Sequence, residues 1–131
     1  MSDMTKPRFV FLLLKEHPYG REMLRQLLSA EHVPELIIEE DSPIADEERE
    51  KFLKRIEGKD IAPTIEEQST GNGIPVITVP IHNSSEVMPH IEEMNLDLIV
   101  FGGTRIIRGE ILDFPQDGVV NAHPGVLHGS R

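Results

Sequence analysis

Residues Arg8 to Leu14 read RFVFLLL, an unbroken apolar run behind a single arginine. The run has the length of a β-strand. Continuous rather than alternating apolarity marks a strand covered on both faces, as in a parallel sheet with helices on either side. It is too short to cross a bilayer. Working outward, Asp97 to Phe101 (DLIVF) repeats the pattern. Val33 to Ile38 (VPELII), Pro75 to Val79 and Val119 to Ala122 complete a set of strands. Pro34 is tolerated near the start of its strand.

Between the strands the apolar spacing changes. From Arg21 to Ala30, Met23, Leu24, Leu27 and Leu28 form one helical stripe, and His17-Pro18-Tyr19-Gly20 separates that stripe from the first strand. Ser42-Pro43 suits a helix start, with Ser as cap and Pro at the first helical position. Asp46, Glu47 and Glu48 favour the positive end of that helix, Phe52, Leu53 and Ile56 give it a modest apolar face, and Gly58 a stop. The acidic face reads as solvated. Lys59 to Gly73 is polar and reads as containing a loop, with a turn at Gly71-Asn72-Gly73. A phosphate-cradling reading of that turn lacks the Lys-Ser/Thr of a P-loop and the third glycine of a dinucleotide fingerprint. Ser84 or Ser85 caps a helix bearing Val87, Met88, Ile91 and Met94, where Pro89 fits only in the first turn. Ile106 to Leu112 reads as a short helix. Apolar strands alternating with amphipathic helices imply an α/β fold: a doubly wound, mostly parallel, Rossmann-like sheet, with residues 1–131 as one domain.

The chain carries 13 Lys+Arg against 23 Asp+Glu, a net charge of −10 at pH 7, and no cysteine. A disulfide scaffold, a thiol nucleophile and a cysteine zinc site are excluded. The acidic balance argues against a nucleic-acid-wrapping surface. With no spanning run, and no small-residue cleavage site after the mixed-charge leader Met1 to Arg8, the expectation is a soluble cytoplasmic protein without a membrane partner.

Open parallel sheets bind ligands beyond the carboxyl ends of their strands, near the point where strand order reverses. That directs attention to Lys15 to Gly20, Asp41, Gly102 to Ile107 and Asn121 to Arg131. The last segment is the richest. In an extended chain Asn121 and His123 project to the same side, and Pro124 keeps His123 out of the helical region. An amide could stabilise a developing oxyanion, and an imidazole could exchange a proton near neutrality. By position alone, a histidine at a strand end is more often structural. His17 and Asp41 stand after the first two strands as further candidates for substrate contact. His123 and His128 lack a nearby third ligand, so no metal site is expected.

The stretch DLIVFGGTRIIRGEILDFPQDGVVNAHPGVLHGSR, Asp97 to Arg131, resembles the formyltransferases that use 10-formyltetrahydrofolate. These include the glycinamide ribonucleotide, methionyl-tRNA and sugar-nucleotide enzymes. The resemblance rests on an ordered set: a buried strand after Asp97, Arg105-Ile106-Ile107, spaced Leu112 and Pro115, a Gly-Val-Val strand opening, Asn121-x-His123-Pro124-x-x-Leu127, and Arg131 where the family has Arg-Gly. It covers about a quarter of the chain. The N-terminal half agrees more loosely with the sugar and tRNA branches. Lys15-Glu16-His17-Pro18-Tyr19-Gly20 replaces the glycine-rich loop of the purine enzyme and is a poor phosphate cradle.

The resemblance implies a co-substrate, 10-formyltetrahydrofolate, and an acceptor bearing a primary amine. Asn121 would hydrogen-bond the formyl oxygen, and His123 would assist that stabilisation and the proton transfers. Gly103, Thr104, Arg105, Ile106 and Ile107 would line the folate pocket, with Ile106 and Ile107 equally readable as helix core. Gly102 and Gly103 would let the backbone turn close to a ligand. The family's third catalytic residue, an Asp beyond the motif, has no match here: Asp113 and Asp117 precede the motif. His128 stands where the family has Pro. The expectation is therefore the N-terminal portion of a formyltransferase domain, inactive by itself, whose last strand could pair with a second copy as a homodimer. Acidity favours a small acceptor such as an amino-sugar nucleotide over aminoacyl-tRNA. The alternatives are a non-catalytic folate- or nucleotide-binding module and a formyltetrahydrofolate hydrolase.

Overall fold

The computed structural model describes residues 7–82, 84–102 and 119–122. Their elements run β1 (Phe9–Leu14), α1 (Pro18–Ser29), β2 (Leu36–Glu40), α2 (Pro43–Arg55), α3 (Ile65–Asn72), β3 (Val76–Val79), α4 (Ser84–Ile91), β4 (Leu98–Gly102) and β5 (Val119–Ala122). The strands form one sheet in the order β3-β2-β1-β4-β5, with every pair parallel. This is the doubly wound α/β arrangement that the continuous apolar runs imply. The order reverses between β1 and β4, and in open parallel sheets such a switch point is where a ligand crevice commonly opens.

The register ties the sheet together at its middle. Phe11 pairs with Ile37 on β2 and with Val100 on β4. All six residues of β1 are buried, as a central strand covered on both faces requires. Strand alternation then divides the core in two. Val10, Leu12, Leu36, Ile38, Ile99 and Phe101 meet Val87 and Ile91 of α4 on one face. Phe11, Leu13, Ile37 and Val100 meet Met23 and Leu24 of α1 and Ile65 of α3 on the other. Asp97 accepts a hydrogen bond from the Arg8 backbone N–H at 2.9 Å. It staples the amino ends of β1 and β4, opposite the carboxyl edge of the sheet.

Four local readings are corrected. First, α1 begins at Pro18 rather than Arg21. His17 is its N-cap, its Nδ1 accepting from the Tyr19 N–H at 3.1 Å, and Pro18 supplies the first helical position. Second, α3 occupies the end of the stretch Lys59 to Gly73, where a turn at Gly71-Asn72-Gly73 is the sequence reading. Thr64 and Glu67 form a reciprocal capping box, and Gly73 closes the helix at φ 67°, in the left-handed region that favours glycine. Gly71 and Asn72 belong to that helix rather than to a turn. Third, β2 spans Leu36–Glu40, so the strand starts later than Val33 and continues through two glutamates. Fourth, Pro89 sits inside α4, beyond its first turn. The helix expected over Ile106 to Leu112 lies outside the described residues.

α2 follows its sequence reading. Ser42 caps it, accepting from the Ala45 N–H at 3.0 Å, and Ala45 is its one buried residue. Arg49–Asp46 and Lys51–Glu48 pairs decorate its solvent side. No described helix is long and apolar enough to cross a membrane.

Candidate functional site

The carboxyl edge of the sheet carries the ends of its five parallel strands, and the segments that leave β1, β2 and β3 are among the described residues. Asn121 stands in β5 opposite Phe101 of β4, one position before the pair Gly102–Ala122. Its backbone therefore lies at the carboxyl end, one strand outward from β4 and two from β1. His123 and the folate-pocket residues Gly103, Thr104, Arg105, Ile106 and Ile107 lie outside the described residues. Gly102 has an internal reason to be glycine. A Cβ there would fall 2.4 Å from Cζ of Phe11, and one on Gly20 would fall 3.0 Å from the Gly102 carbonyl oxygen. The N-terminus of α1 thus packs tightly on the ends of β1 and β4.

His17 is a structural cap. It is buried, its ring centroid lies 4.7 Å from that of Phe52 and 5.4 Å from that of Tyr19. Burial lowers its pKa to about 4, the nearby Arg21 and Arg49 adding to the effect and Glu48 opposing it. It is neutral at neutral pH, with Nδ1 committed as acceptor. Asp41 reaches Lys15 at 3.4 Å across an exposed pair, a contact that contributes little.

The first half of the edge holds a constellation that the sequence did not announce. Leu13 and Leu14 of β1 lie in register with Glu39 and Glu40 of β2, so two consecutive carboxylates are carried into the sheet. Alternation sends them to opposite faces. Glu40, fully buried, accepts from the His82 backbone N–H at 3.1 Å and from the Ser42 hydroxyl at 2.7 Å. His82 in turn sits with Nε2 2.9 Å from the Ile38 carbonyl oxygen. Glu39, 6% exposed, faces α3, and its Oε2 has no hydrogen-bond partner among the described residues. Burial pushes its carboxyl above the ordinary range, and the charge of Glu16 adds to that. A backbone hydrogen bond from Glu16 and the charge of Lys15 pull the other way.

Glu16 adopts φ 53°, a left-handed conformation uncommon for a non-glycine residue. That turn aims its carboxylate at the start of α3, where it accepts from the N–H groups of Ile65 at 2.9 Å and Glu66 at 3.3 Å. Arg21 Nε lies 3.1 Å from Glu16 Oε1. Lys15, Glu16, Glu39, Ile65, Glu66 and Ser69, with the start of β3, line a cleft of about 380 Å³. The signal that could have found it is the acid pair closing the apolar run LIIEE. Only the packing of α3 makes one of those acids buried.

No family model and no curated protein matches the chain.

Proposed function

We propose that the chain belongs to a 10-formyltetrahydrofolate-dependent formyltransferase and carries two of its three catalytic residues. The acceptor amine nitrogen bonds to the formyl carbon, and the carbonyl oxygen becomes an oxyanion. Asn121 donates to that oxygen, and His123 supports the charge and moves protons. Collapse breaks the bond to the folate nitrogen. The N-formyl product leaves with tetrahydrofolate, and the proton lost by the amine reaches the folate nitrogen. Thr104 to Ile107 and Gly103 hold the folate. The acceptor is a small amine such as an amino-sugar nucleotide rather than an aminoacyl-tRNA, whose polyanionic backbone a net charge of −10 repels.

The observation that supports this reading is the adjacency of β4 and β5. They are neighbouring parallel strands in register. The chain therefore leaves both at one edge of the sheet, on the β4 side of the switch point, where this fold binds ligands. The two ordered parts of the motif follow directly from those strand ends.

Calorimetric titration with a non-hydrolysable 10-formyl folate analogue tests it. Binding is expected, weakened at least about tenfold, or about 1.4 kcal/mol, by Asn121→Ala and by His123→Ala. Absence of folate binding overturns the reading, and nucleotide binding in its place favours a binding module. Release of formate from formyl-folate without an amine would make the chain a hydrolase.

A further inference from the structure

We infer that the cleft between α3 and the carboxyl ends of β1 and β2 is a binding site for a small aliphatic primary ammonium, with Glu39 as its carboxylate partner. The site lies on the β2 side of the sheet. Three strand spacings, about 14 Å, separate β2 from β5, and the inference is independent of formyl transfer.

The charged groups at the cleft other than Glu39 are each engaged or open to solvent. Glu16 has both carboxylate oxygens on the α3 N-terminus, with Arg21 beside one of them. That occupies the backbone donors of Ile65 and Glu66 that might otherwise take an anion. Lys15 reaches Asp41 at 3.4 Å. Glu66 is exposed. Glu39 is different: its side chain is removed from water, it lines the cleft, and Oε2 has no partner among the described residues. A buried carboxylate oxygen without a donor is costly, and a ligand N–H is the group that relieves the cost.

The rest of the lining narrows the ligand. Three carboxylates against one lysine select a cation over an anion. Among the described residues no cluster of three or more His, Asp or Glu side chains is arranged to hold a metal ion, and Glu16's oxygens are turned to α3. An N–H donor therefore fits better than a metal. Ile65, Ile74 and Val76 provide an apolar wall for a short methylene chain. A volume of about 380 Å³ is at the small end of ligand pockets. An ammonium on a chain of a few carbons satisfies all of these surfaces together.

The test is a backbone amide NMR titration of the whole chain with n-butylammonium chloride. Tetramethylammonium, which has no N–H, and sodium chloride at equal ionic strength serve as controls. Saturable shifts at Glu16, Ile65 and Ser69, with a Kd on the order of 1 mM, are expected for butylammonium alone. Glu39→Gln should weaken binding at least about tenfold, and Glu47→Gln, at an exposed carboxylate of α2 outside the cleft, should leave it unchanged. Equal response to tetramethylammonium, or unchanged binding in Glu39→Gln, would overturn the proposal. A second readout needs no variant. In the wild-type chain the Glu39 carboxyl ¹³C titration should move to lower pH when butylammonium is present, as an ion partner requires. Lys15, Glu16, Asp41 and Glu66 face that carboxyl, and their own titrations are followed alongside it. An unmoved Glu39 titration also overturns the proposal.

Discussion

Glu39 and Glu40 are neighbours with the same side chain, and both are buried at the end of β2. Their surroundings could hardly differ more. On the α4 face Glu40 is met by a backbone N–H from His82 and a hydroxyl from Ser42. On the α3 face Glu39 keeps an oxygen that no described group meets, above a cleft that opens to solvent. Strand alternation alone separates them, since one residue of shift exchanges the faces. The difference teaches that burial does not by itself tell a structural carboxylate from a functional one. The partner inventory does: a satisfied buried acid holds the fold together, and an unsatisfied one points to a ligand.

The comparison breaks most sharply at Glu40. Glu40→Ala would strand two donors and leave a cavity, so a loss of about 4 kcal/mol is expected in urea denaturation. A loss below that of a Glu39 substitution would show that the two faces are not different in kind. The next largest effect concerns His17, a third buried ionisable group at this edge and a satisfied one. Its folded pKa of about 4 lies below the ordinary 6.5. The unfolded chain binds the extra proton between those values. Stability from this group is therefore complete above pH 6.5 and is lost as pH falls towards 4. The shift of about 2.5 units corresponds to roughly 3 kcal/mol. His17→Asn keeps a capping side chain and removes the titration. Denaturation from pH 7 to pH 4 should then show roughly 3 kcal/mol less acid destabilisation than the wild type.

The sheet was legible because apolarity is local information. FVFLLL and LIVF cannot be surface strands, and stripes such as Met23-Leu24-Leu27-Leu28 cannot be strands at all. α3 was illegible by the same criterion. IEEQSTGN carries one large apolar residue, so its helix is written in its ends, in Thr64 with Glu67 and in Gly73. Asn121 was found from a motif, and its strand position agrees with the fifth strand read over Val119 to Ala122. Glu39 was missed because its meaning depends on three separate events: β2 running past Ile38, Glu16 turning through a positive φ, and α3 closing over the result. The acid pair closing LIIEE marks the first of these, but the other two leave no mark within a few residues of Glu39.

The smallest expected effect is the one that sharpens the comparison furthest. The carboxyl of Glu39 is raised above its ordinary value, first by burial and then by the charge of Glu16. A raised carboxyl means that the folded chain, not the unfolded one, holds the extra proton in the window between the two pKa values. Glu39 therefore costs stability in full above its folded pKa. That cost disappears as pH falls through the folded pKa to the unfolded one, the reverse of the His17 trend. Glu39→Gln removes the cost without changing the shape of the side chain. In a His17→Asn background, which silences the opposing titration, Glu39→Gln should be more stable than Glu39 at pH 7. The difference should shrink towards zero near pH 4. A variant that is instead destabilised at neutral pH, as Glu40→Ala is expected to be, would mean that Oε2 of Glu39 already has a partner. The cleft would then have no unmet carboxylate to offer.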